Sequence, residues 1–441
     1  MKLNTRRTFL VGLAFLSICA FWQVYDSLVP LMLKNTFHMG DTQAGFIMSL
    51  DNILALFLLP FFGALSDRCT SRLGRRMPFI VGGTLAASAL TLLLPAADRA
   101  ENLTFFIVVL GLLLVAMGVY RSPAVALMPD VTPKPLRSKA NAIINLMGAV
   151  GGLFALVCIR LLLGEGMHPD YFPIFLAVAI LMLVSVAVLF LTIRERKLAA
   201  ETAALDHEAA DDPNEKTDGA SSKKAPMDPA VKKSLIFLLC SVALWFMGYN
   251  AVTTSFSKYV QVQLGITGGG FASCVMVATV SAIASFLPVG LVSSRLGRKK
   301  VILFGAALLA AALLGASFLS DAMVVMKNDE PAVSMIANGL FVLVGVGWAS
   351  INVNSYPMVV EMSKGSDVGK YTGFYYTFSM AAQIVTPILS GFFLEHVGYW
   401  TLFPYGALFV AASFVTMCFV RHGDNRPAPP ASALEAFEDM D

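Results

Sequence analysis

Charge is what this chain has least of. Of its 441 residues only 14% are Asp, Glu, Lys or Arg, against 57% hydrophobic, whereas a soluble domain is nearer a quarter charged. That shortage excludes a water-soluble enzyme of this length, whose surface needs more polar side chains, and it excludes a disordered chain. A net charge of +3 is too small for a nucleic-acid footprint, so no nucleic-acid partner is expected. Six cysteines do not make a disulfide framework. Cys19, Cys158, Cys240, Cys274 and Cys418 sit in apolar runs as small filler, and Cys69 in a basic loop. The five histidines lie in loops or near segment ends. No HExxH helix, phosphate-cradling GxxxxGK[ST] or Cys/His metal spacing occurs, so neither a metal nor a cofactor is expected. The chain reads as no enzyme, and an ion gradient is the energy source left to it.

Long apolar runs are what the chain has instead. Crossing about 30 Å of hydrocarbon as helix takes about 20 residues. Twelve runs qualify: 8–32, 42–65, 78–95, 103–128, 140–163, 172–193, 234–257, 269–293, 301–320, 333–359, 371–395 and 399–420. The Arg6-Arg7-Thr8-Phe9-Leu10 start resembles a twin-arginine signal, but its apolar run is too long for one and is expected to be the first span. Residues 194–233 are polar and include Gly219-Ala220-Ser221-Ser222, which predicts a flexible linker between bundles 1–193 and 234–420, with a tail from 421 to 441. With the N-terminus inside, 26 Lys and Arg fall in inner segments and 4 (Lys34, Arg99, Lys258, Lys327) in outer loops. The positive-inside rule then puts both termini in the cytoplasm of a multi-pass plasma-membrane protein.

The halves repeat each other. Gly63-Ala-Leu-Ser-Asp67-Arg68 and Leu73-Gly74-Arg75-Arg76 follow span two; Gly290-Leu-Val-Ser-Ser294-Arg295 and Leu296-Gly297-Arg298-Lys299 follow span eight. The two match once Cys69–Arg72 is treated as an insertion. Asp130 and Lys139 after span four correspond to Glu361 and Lys370 after span ten. The fold class is therefore all-α and polytopic, with twelve transmembrane helices in two pseudo-symmetric six-helix bundles, and the loop resembles the signature of the major facilitator superfamily. The fuller string Ser66–Phe79, with Pro123-Ala-Val-Ala-Leu127-Met-Pro-Asp130, resembles the sucrose/proton symporters within the glycoside–pentoside–hexuronide:cation symporter group. The resemblance covers about 30 residues. It implies a proton-coupled carrier of a glycoside, a disaccharide such as sucrose or maltose, with Gly63, Asp67, Arg68, Gly74, Arg75, Arg76, Asp130 and Glu361 in gating. It does not transfer the ion site: the group's coupling positions are here Leu114 and Val125, or Ala55 and Leu59.

The coupling residues follow instead from the cost of charge in mid-span. Asp26 in span one and Asp51 in span two lie at similar depths, about 10–12 Å from their outer ends, and are expected to hold a proton or Na⁺, with Arg160 as the nearest cation. Arg121 lies about 26 Å down span four, too deep to meet the acids, and is expected either to bind sugar hydroxyls or to close an inner gate with Asp130 or Glu361. Trp22, Gln23, Tyr25, Asn52, Trp245, Tyr249, Asn250, Trp348, Asn352 and Gln383 supply rings for a sugar's apolar face and amides for its hydroxyls. A drug/proton antiporter is the alternative, since Gly148-Ala-Val-Gly151-Gly152 resembles an antiporter helix motif; a non-transporting sugar sensor is a third.

Overall fold

The computed structural model describes residues 3–210, 229–325, 330–362 and 368–424. Every regular element among them is helical, and twelve helices are long and apolar enough to cross a membrane. The first bundle holds α1 (Thr5–Asn35), α2 (Asp41–Asp67), α3 (Met77–Arg99), α4 (Leu103–Asp130), α5 (Arg137–Leu162) and α6 (Phe172–Thr192). After α7 (Glu195–Ala210) the second holds α8 (Pro229–Gln263), α9 (Gly270–Leu296), α10 (Arg298–Ala316), the short α11 (Leu319–Val325), α12 (Glu330–Glu361), α13 (Val368–His396) and α14 (Leu402–Cys418). Side-chain caps mark some starts: Asn102 Oδ1 accepts from Phe105 N at 2.9 Å where α4 begins.

One expected boundary is corrected. The linker reading began at 194, but Glu195–Ala210 is helical, with Glu195 and Thr202 buried. The segment does not have to fold alone, because its first turn docks under the bundle. Residues 211–228, including Gly219–Ser222, and the tail from 425 lie outside the described residues.

In lipid, helices gain little from apolar burial against one another and associate through close packing at small residues. Gly151 of α5 lies on α1: a Cβ there would stand 1.9 Å from the Leu16 carbonyl oxygen. The Gly148–Gly152 motif is thus explained as a helix contact. Between the bundles α2 packs on α13 and α5 on α9, pairs that interchange under the internal repeat. The α2–α13 contact is tight on both sides, since a Cβ on Gly45 would meet the Pro387 carbonyl oxygen at 2.0 Å and one on Gly391 the Asp41 carbonyl oxygen at 2.3 Å.

Candidate functional site

Between the bundles lies a cavity of about 550 Å³ with two unlike walls. The first bundle supplies Phe15, Cys19, Trp22, Gln23 and Asp26 from α1, Arg121 from α4, and Asn145, Gly148 and Gly152 from α5. The second supplies Tyr249, Phe286, Trp348 and Tyr376, with Thr279. Tyr249 stacks on Trp348 with centroids 5.9 Å apart, and Phe286 meets Trp348 edge-on at 6.0 Å. One wall therefore carries charge and amides and the other an aromatic surface. Trp22 Nε1 and Asn145 Nδ2 have no hydrogen-bond partner among the described residues.

Asp26 lines the cavity and Asp51 does not, but the two carboxylates are close enough to repel each other. Asn52 serves Asp51, its backbone and side-chain nitrogens donating to Oδ1 at 2.6 and 2.9 Å. Arg121 needs a correction. It forms no ion pair with either acid among the described residues, yet it lines the same cavity as Asp26, stands 5.9 Å from the Trp22 ring centroid and attracts Asp51. The axial reckoning measured from Cα alone. Side chains lean toward their helix N-terminus; since α1 and α4 run in opposite directions, Arg121 and Asp26 lean toward each other. In this conformation Asp130 is held by Arg75 and Arg76 and Glu361 by Arg298, so neither pairs with Arg121 here. Arg160 is not a partner of the acids; it is exposed, and its Nε donates to Ser273 Oγ at 3.1 Å.

Six expected sugar contacts are absent from the cavity wall, Asn52 among them, since its amide serves Asp51. Tyr25 and Trp245 are fully buried in the core, Trp245 stacked on Phe246 at 4.0 Å. Asn250 and Asn352 lie off the wall, and Gln383 Nε2 donates to the Ser379 carbonyl of its own helix at 3.3 Å. Their helices are rotated so that the neighbouring stripe faces inward. Cys19, read as filler, is on the wall instead.

The signature loops build matched networks. Arg76 Nε donates to Asp130 Oδ2 at 2.9 Å, and Arg76 also pairs with Asp67; Arg75 reaches Asp130 at 3.3 Å. Arg298 and Glu361 repeat the Arg75–Asp130 pair in the second bundle. Arg68 is exposed. Gly63 lies against Ser122 of α4, and its carbonyl accepts from Arg76. Gly74 (φ +118°) and Gly297 (φ +93°) occupy a backbone region that favours glycine. Arg75 and Arg76, expected in gating, clamp α2, α3 and α4 of one bundle in this conformation. A carboxylate the sequence did not single out caps the next helix. Glu195 accepts from Arg75 N at 2.7 Å, Arg76 N at 2.9 Å and Met77 N at 2.8 Å, three donors at the positive end of α3. Asp424 takes the equivalent place, accepting from Lys299 N at 2.9 Å at the start of α10.

At the opposite end the bundles are bolted together. Asp41 is buried and accepts from Lys258 Nζ at 2.8 Å, Tyr399 Oη at 2.7 and 2.8 Å and Lys34 Nζ at 3.0 Å. Asn35 and Gln261 exchange amide bonds at 3.1–3.2 Å, and Glu395 Oε2 accepts from Thr42 N at 2.8 Å. The signal for this cluster was in the charge count, since Lys34 and Lys258 are two of only four Lys and Arg assigned to outer loops in the sequence. Toward the loop end the cavity continues through a second chamber of about 380 Å³ lined by Val125, Met128, Asn141 and Tyr376. The site is therefore shut at one end and approached from the other.

Two bundles related by an internal repeat, with a charged cavity between them and a latch at one end, define a membrane carrier. The family model described as Major Facilitator Superfamily matches residues 11–354 and 333–439, so the chain belongs to the Major Facilitator Superfamily, a family of transporters rather than enzymes. Its relatives include sucrose transport protein SUC3 of Arabidopsis thaliana, 29% identical over 151 residues (30% of this chain and 25% of that protein). Proton-associated sugar transporter A of Mus musculus is 32% identical over 145 residues, 29% of this chain and 18% of that protein. The matched stretch thus spans a quarter or less of each of these relatives. Among solved structures, the inward-open xylose transporter XylE from E. coli superposes with a TM-score of 0.64 at 15% identity, over 95% of this chain and 96% of that one; at that identity the likeness concerns the fold.

Proposed function

We propose that this chain imports a glycoside, a disaccharide such as sucrose or maltose, together with a proton, by alternating access. One observation carries the reading: the cavity sets an acid-and-amide wall against an aromatic wall. A sugar has the same two faces, apolar C–H on one side and hydroxyls on the other. Trp22 Nε1 and Asn145 Nδ2 are donors with no partner among the described residues, and Arg121 adds several more. The sugar-transporter relatives support the same substrate class. Asp26 and Asp51 supply the coupling. Two repelling carboxylates are costly to enclose away from water while both are charged, so binding of a cation lowers the cost of occlusion. Proton and sugar load together, the bundles rock about the site, and both leave at the loop end.

The loop end, with both termini, is the cytoplasmic side of a plasma membrane on the 26-to-4 distribution of Lys and Arg. In proteoliposomes, Asp26→Asn or Asp51→Asn should leave exchange of sugar between equal pools intact in at least one variant, while accumulation against a gradient is lost. Full accumulation by both variants would remove the acids from the coupling, and accumulation that needs sodium rather than a pH gradient would change the ion to Na⁺.

A further inference from the structure

A second cavity of about 550 Å³ lies at the loop end, outside the transport path, between the Cys69–Arg72 insertion, the last turn of α6 and the first turns of α7. Four cations line it: Arg72, Arg194, Arg196 and Lys197. No acidic partner is found for Arg72, Arg194 or Arg196 among the described residues; Lys197 has Glu201 at 3.8 Å, both exposed. The one carboxylate within the same turn, Glu195, points inward and is saturated by the α3 backbone. The rest of the lining is apolar and includes Met77 and Phe190. Phe190 and its neighbour Leu191 are exposed at the end of a span, 41% and 79%, so the apolar side of the groove runs on into the lipid-facing surface.

We infer that this groove binds an anionic phospholipid, its phosphodiester among the four cations and its acyl chains along Phe190 and Leu191. Basic pockets at the membrane boundary hold acidic headgroups through this combination of charge and apolar wall. The internal repeat supports the assignment. The second bundle lacks the four-residue insertion, and there its own chain fills the place: Asp424 bonds Lys299 N, and Lys299 Nζ donates to the Cys418 and Val420 carbonyls. Glu195 and Asp424 are equivalent caps, but only the first bundle adds the insertion's Arg72 and the cations flanking its cap, Arg194, Arg196 and Lys197. A lipid seated there would brace the start of α7 and with it the Glu195 cap on α3.

The test is a lipid titration of the full chain in neutral detergent, read by native mass spectrometry and thermal unfolding. Phosphatidylglycerol should bind and raise the melting temperature, phosphatidylcholine should do neither, and inorganic phosphate or glycerol phosphate at millimolar concentration should not compete. R72Q/R194Q/R196Q/K197Q should weaken phosphatidylglycerol binding about tenfold or more, whereas R295Q/K300Q, exposed cations at the same end of the second bundle, should not. R72Q alone should already weaken binding, which keeps the test alive where the quadruple variant fails to fold. Unchanged binding in R72Q and the quadruple variant, or an equal loss in R295Q/K300Q, would overturn the site. Competition by inorganic phosphate would overturn the lipid in favour of a soluble anion. None of these outcomes depends on the transported substrate.

Discussion

Asp41→Asn should unlock the end of the molecule opposite the signature loops. The substitution keeps the shape of the side chain and removes the charge that Lys258, Lys34 and Tyr399 converge on. The side chains of Asp41 and Lys258 are 1% and 4% exposed, so Lys258 is left buried without its counter-ion. Breaking one partner of a buried pair costs about 3–5 kcal/mol. Lys34, 32% exposed, adds little because solvent screens it. The cost falls only on the state in which this end is closed. At about 1.4 kcal/mol per tenfold, it shifts the closed-to-open equilibrium by about a hundredfold or more. Ser257, buried beside Lys258, reports the opening: in a variant stripped of native cysteines, Ser257→Cys should react slowly with a maleimide in the parent and much faster with Asp41→Asn. A cysteine at Ser185, buried in α6, should stay unreactive in both and so distinguishes opening from unfolding. Replacing both partners, Asp41→Asn with Lys258→Met, should recover much of the slow reaction, because no orphan charge remains. Equal labelling of Ser257→Cys with and without Asp41→Asn would refute the latch.

Arg121→Lys keeps a cation near Asp51 but loses the planar fork over Trp22, so initial-rate uptake should fall at least about tenfold rather than mildly. Glu195→Gln leaves backbone donors of α3 with a weaker, uncharged acceptor and should lower stability by about 1–3 kcal/mol, read as a drop in melting temperature without loss of sugar binding. Trp348→Ala removes the ring that Tyr249 and Phe286 pack on and should raise the half-saturating glycoside concentration several-fold, with Trp348→Phe recovering part of it.

The spans were legible because twenty apolar residues have few other uses, and the repeat because the loops keep their Gly and Arg spacing. Helix rotation was not. Most faces of a span in lipid are apolar, so polarity alone does not say which face meets the cavity. On α1 the wall residues Phe15, Cys19, Trp22 and Asp26 form a stripe at intervals of three and four. That spacing would have kept Trp22 and Asp26 and dropped Tyr25, had it been weighed above residue type. Arg121 was misplaced because depth counted along the axis ignores the lean of side chains in antiparallel helices. Glu195 and Asp424 were passed over since a cap from a residue distant in sequence leaves no local pattern, unlike Asn102 three residues before Phe105. The Asp41 latch joins α1, α2, α8 and the turn before α14, and such a meeting is a property of tertiary structure.

Whether glycoside and proton move together is read directly by a pH electrode outside right-side-out proteoliposomes. Adding a transported glucoside outside, with no imposed gradient, should make the external medium alkaline, because each sugar carries a proton inward, and Asp26→Asn or Asp51→Asn should abolish the signal in at least one variant. External acidification on adding substrate would mean exchange and contradict the account, and sugar uptake with no pH change at all would contradict the proton.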